Sequence, residues 1–136
     1  MRQHIIKIVC VSTIAFASAS ALAAQEAPGQ LDLGVWSGEL TPMHHPDIHT
    51  SLQFAVSAPV GSPVIEIRGP DEVVIPTHDL SVSEAGVVFS FFEPEADVPL
   101  RCDLRFQATG ALLGRCTDPN GKWASLTMRP PEAGTD

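Results

Sequence analysis

The stretch Arg101–Thr117, "RCDLRFQATGALLGRCT", leaves this chain few ways to fold. Ala108-Thr109-Gly110 reads as a three-residue hairpin loop, which takes Gly at its third position because that residue adopts the left-handed region. The register then follows. Gln107 pairs with Ala111, Phe106 with Leu112, Leu104 with Gly114 and Cys102 with Cys116. Counting out from the loop places the cysteines at a non-hydrogen-bonded pair, where Cα atoms stand about 4.5 Å apart and a disulfide is within reach. Cys102, Leu104, Phe106, Leu112 and Cys116 share one face. Arg101, Asp103, Arg105, Gln107 and Arg115 share the other, with Asp103 opposite Arg115. A slip of one residue would turn every one of these side chains to the wrong side.

The rest of the chain repeats this style. No segment sustains a 3.6-residue period, and twelve prolines spread over 136 residues exclude long helices. Short β-rich runs separated by Gly, Pro, Asp and Asn cover residues 33–40, 48–57, 63–68, 72–82, 86–93, 98–107, 111–117 and 122–129. Leu52, Phe54 and Val56 alternate with polar or small residues, as do Leu126 and Met128. Val87, Phe89 and Phe91 alternate less cleanly, because Phe92 follows them. Short strands at regular spacing suggest an all-β, antiparallel domain of about eight strands, either a sandwich or a barrel.

Residues 1–23 read as an export signal. Arg2 and Lys7 open it, an apolar stretch of small residues follows, and Ala21-Leu22-Ala23 fits a cleavage site. Its apolar run is shorter than the roughly 20 residues of a membrane span. Cys10 lies within it. Residues 24–31, "AQEAPGQL", read as a polar leader, 32–130 as a single β domain and 131–136 as a flexible tail. Beyond the signal, 8 − 2 = 6 basic residues remain against sixteen acidic ones, a net charge of 6 − 16 = −10. Nucleic acid and anionic membranes reward clustered Lys and Arg, so that balance argues against both as partners. Two cysteines in an exported domain read as a disulfide, and the expected location is the periplasm or the medium.

Gly34-Val35-Trp36 opens the first strand, and Leu126-Thr127-Met128-Arg129 closes the last. This frame resembles the calycin group: lipocalins, avidin-like proteins and small secreted protease inhibitors. The resemblance implies a small up-and-down barrel, with a β-sandwich as the alternative, in which Trp36 packs at a closed end with Arg129 over its indole. It also implies either an apolar ligand in the open mouth or a protein partner on the loops. The expected cavity lining is Leu52, Phe54, Phe89, Phe91 and Leu126.

The segment "MHHPDIH" holds three of the five histidines between the first two strands. His45, Asp47 and His49 are the candidate metal ligands, because imidazole and carboxylate suit zinc or copper. No spacing in the loop from His44 to His49 matches an established metal motif, so a solvated polar loop is the plainer reading. His78-Asp79 lacks a placed nucleophile and a G-x-S-x-G elbow. Glu93 and Glu95 flank Pro94 in an acidic loop with few aromatics to hold a sugar. Phosphate-loop and dinucleotide fingerprints are absent, so neither an enzyme nor a bound cofactor is expected. The expected function is that of an exported, non-catalytic binding protein of the bacterial envelope. The alternatives are a protein-interaction module or secreted inhibitor acting on an envelope protein, and a metal-handling protein.

Overall fold

Each strand pairs with the next in sequence, and the last returns to the first. The computed structural model describes residues 26–94 and 97–132. The expected signal (1–23), Cys10, Glu95 and the last four residues of the tail lie outside them. Strands β1 (Gly34–Pro42), β2 (Thr50–Ser57), β3 (Val64–Arg68) and β4 (Val74–Val82) form the first half. Strands β5 (Gly86–Glu93), β6 (Val98–Phe106), β7 (Leu112–Thr117) and β8 (Trp123–Arg129) form the second. All neighbours are antiparallel, and β1 pairs with β8 from Ser37↔Arg129 to Pro42↔Ala124, which closes the barrel. Closure leaves no free sheet edge and replaces the sandwich alternative. The strand ends fall within two residues of those read from the sequence.

Alternation places one apolar face inside. Trp36, Leu52, Phe54, Phe89, Leu104 and Met128 are among the buried residues, and no charged or polar residue is buried among those described. The β6–β7 hairpin has the expected register, from Phe106↔Leu112 to Cys102↔Cys116. Gly110 has φ +91°, and its N–H donates to the Gln107 carbonyl at 2.9 Å. The Cys102–Cys116 disulfide is formed inside the barrel.

Two places depart from plain alternation. In β4 the register shifts between His78 and Ser81, and Asp79 sits at φ +55°. The shift lets Thr77 and Leu80, three residues apart, both stay half-buried, which an unbroken period of two cannot do. In β7, Gly114 turns inward where β6 comes close. A Cβ there would collide with the Asp103 carbonyl oxygen and the Leu104 Cα. The Gly114→Ala variant is therefore expected to lose about 1–3 kcal/mol in urea unfolding. Thr117→Ser, exposed on the same strand, is expected to change stability by less than about 0.5 kcal/mol.

One barrel end is sealed by the segment before β1. From Glu26 on, the polar leader joins the barrel. The Ala27 N–H donates to the Phe106 carbonyl at 2.9 Å, and the Gly29 N–H donates to the Glu84 carbonyl at 3.1 Å. Glu26 bridges Gln107, Gly29 lies tight against the Phe106 ring, and Leu31 packs on the core. Trp36 is fully buried at this end, and its indole Nε1–H donates to the Asp32 carbonyl at 2.9 Å. At the other terminus of the domain, Pro131 rests near Gly34.

Candidate functional site

The opposite end is open. It is built from the ends of β1, β3, β5 and β7 and the starts of β2, β4, β6 and β8. These segments surround a cavity of about 750 Å³. That volume lies within the roughly 300–1,000 Å³ of small-molecule sites. Its wall is mainly aliphatic, with Leu40, Leu52, Ile67, Ile75 and Leu100 facing in. Phe91 and Cys116 also line it, so the disulfide is part of the wall. Charge enters only near the opening, through Asp71, Glu93, Asp118 and Lys122.

Of the five expected lining residues, Leu52 and Phe91 are at the cavity. Phe54, Phe89 and Leu126 are fully buried elsewhere in the interior. Phe89 packs edge-on to Phe54 with ring centroids 6.3 Å apart, and stands 6.4 Å from Phe91. The aromatic row therefore fills the barrel, and only Phe91 of the three reaches the cavity. Eight strands leave an interior that side chains nearly fill. Space remains only where the inward positions run out, near the strand ends. Leu40 lies two residues beyond Gly38 and Leu100 two before Cys102, so their inward parity is legible in the sequence. Alternation alone does not show which barrel end stays open; the resemblance puts the closed end at Trp36.

The expected packing of Arg129 over Trp36 is replaced by a different arrangement. Arg129 is exposed and pairs with Ser37, itself exposed. Partners across a ladder share a face, so Arg129 lies outside while Trp36 points in. The observed cation–indole contact joins Arg115 to Trp123, with the guanidinium carbon 4.1 Å from the ring centroid. Asp103 does face Arg115 in the ladder. Its carboxylate instead approaches Arg105 Nε, at 3.7 Å. Both members are exposed, so that pair contributes little to stability.

The histidine loop lies between β1 and β2 at the open end. His44, His45, Asp47 and His49 are all exposed. The His45 N–H donates to the Pro42 carbonyl at 3.1 Å, and the Ile48 N–H donates to the His45 carbonyl at 2.9 Å, which makes two consecutive turns. His49 Nδ1 is 2.9 Å from Thr41 Oγ1 and 3.8 Å from Glu39 Oε1. Thr41 and Glu39 project from the outer face of β1, so His49 turns away from the cavity. Among the described residues, no three His, Cys, Asp or Glu side chains gather into a group that could hold a metal ion. The expected triad of His45, Asp47 and His49 is not assembled. His78 Nε2 and Asp79 Oδ2 stand 3.9 Å apart on exposed side chains at the β4 bulge.

No protein-family model and no curated protein matches the sequence. Among solved structures, a redesigned β-barrel is similar, with a TM-score of 0.56 and 12% identity over 74% of this chain and 91% of that one. The fold is a small β-barrel. At that identity the likeness concerns architecture alone. Among the described residues, no helix is long and apolar enough to cross a membrane.

Proposed function

We propose that this chain is an exported, non-catalytic binding protein of the bacterial envelope, working in the periplasm or the medium. It holds a small apolar molecule in the open end of its barrel. The observation that carries this reading is the asymmetry of the two ends: one is sealed by residues 26–33 and Trp36, the other opens on an apolar cavity of about 750 Å³. A barrel that only needed a core would be packed at both ends, because empty apolar space costs stability. Export is supported by residues 1–23 and by a disulfide, which persists in oxidising compartments. Of the calycin-like frame, the G-x-W half lies at the sealed end, while Arg129 does not pack on it.

The test is native mass spectrometry of the protein purified from an oxidising compartment, beside a variant carrying Leu52→Trp and Leu100→Trp. Both substitutions add bulk to the cavity wall. The wild type is expected to carry, or to take up, a small organic molecule that the filled variant does not. Equal uptake by both would sink the reading. A second reading, as a protein-interaction module or secreted inhibitor, rests on Phe92, 48% exposed on the outside of β5 opposite exposed Pro99. A wild type that takes up no ligand, with partner capture lost on Phe92→Ser, would put that reading first.

A further inference from the structure

We propose that the molecule held in this cavity is an amphiphile with an apolar tail and a cationic head. The inference rests on the mouth being the ligand site. An amphiphile's charged head stays in water, because burying an unpaired ion is very costly. The tail therefore enters the aliphatic cavity and the head stops at the rim. What the head meets there sets its sign.

Three carboxylates and one ammonium stand at that rim: Asp71, Glu93, Asp118 and Lys122, a sum of −3 + 1 = −2. They come from separate places around the opening. Asp71 belongs to the turn after β3, Glu93 ends β5, Asp118 follows β7 and Lys122 precedes β8. The Asp118 carboxylate is held in place, accepting the N–H of Asn120 at 2.8 Å and of Lys122 at 3.0 Å. Asp71 is held by a tight left-handed turn, with φ +65°. Arg68, at the end of β3, pairs with Glu66 at 3.5 Å. Arg101, Arg105 and Arg115 lie on the outer face of β6 and β7, away from the cavity. Acids thus predominate at the opening, and these three arginines lie outside. The net charge, −8 for the whole chain and −10 beyond residues 1–23, adds a longer-range pull of the same sign. A fatty-acid carboxylate would meet repulsion here, and a quaternary ammonium attraction.

The experiment is isothermal titration calorimetry of the purified protein with three probes that share one tail: decyltrimethylammonium, decanol and decanoate. Each is kept below its micelle concentration and measured at low and at physiological ionic strength. A unit charge a few ångströms from another in water changes affinity by about two- to fivefold. With two net charges at the rim, decyltrimethylammonium is expected to bind about tenfold or more tighter than decanoate, with decanol between. Added salt is expected to narrow the gap. Asp71→Asn, which keeps a residue tolerant of positive φ, is expected to narrow it about two- to fourfold. Lys122→Gln is expected to widen it by a similar factor. Decanoate binding as tightly as the cation would overturn the inference and leave the cavity reading standing. So would ammonium binding that survives Leu52→Trp with Leu100→Trp, since that is surface association. If none of the three probes binds, the cavity reading itself fails, and this inference with it.

Discussion

Trp36→Ala is expected to lower stability by about 3–5 kcal/mol, the usual cost of truncating a fully buried large aromatic. Trp36 is 0% exposed, sits opposite Phe54 in the ladder and donates its indole N–H to the Asp32 carbonyl at 2.9 Å. Truncation removes the packing and the anchor of the segment that seals the barrel end. Small domains have roughly 5–15 kcal/mol in total, so the loss is a large share. Trp36→Phe separates the two contributions. It keeps most of the ring and removes the donor, so it is expected to cost about 1–2 kcal/mol. Urea unfolding followed by circular dichroism and by the fluorescence of Trp123, the other tryptophan of the chain, measures both. Equal and small losses in the two variants would mean that the sealed end contributes little to stability.

Removing the disulfide with Cys102→Ala and Cys116→Ala is expected to cost about 3 kcal/mol. The bridge spans a sequence separation of 14, and the loop-closure entropy it removes from the unfolded chain is of that order. The melting temperature is expected to fall by roughly 10–15 °C. The barrel itself is expected to persist, because Gly110 and the alternation of β6 and β7 set the register without the crosslink. Far-UV circular dichroism should therefore be unchanged at low temperature. A second effect follows from position. Cys116 lines the cavity, so its truncation widens the wall and should weaken the uptake of an apolar molecule. A variant that melts like the wild type would show that the unfolded chain is not constrained by this bridge.

Much of the architecture is written locally. Gly110 sets a hairpin, the hairpin aligns two cysteines, and the period of two sorts inward from outward residues along β2, β5 and β8. Such signals act over a few residues and survive without knowledge of the rest. Other features lack a local signature. Apart from Leu31, the segment 26–33 docks through backbone hydrogen bonds and the bare Cα of Gly29, which its mostly polar sequence does not reveal. The bulge at Asp79 appears only in how β4 pairs with β5, where the register shifts between His78 and Ser81. The cation over an indole is a matter of which outer-face residues meet across β7 and β8. Arg115 meets Trp123, and Arg129 is on the wrong face to reach Trp36.

By itself the sequence determined the strands, their pairing at the β6–β7 hairpin, the disulfide and the inward set that forms the core. Tertiary structure decided three things: that β1 meets β8, how residues 26–33 seal the end at Trp36, and therefore where the remaining space lies. The reason is that alternation is the same in a sandwich and in a barrel. Closure depends on contacts between segments some ninety residues apart, such as Ser37 and Arg129, and a cavity is what remains after every such contact has been made.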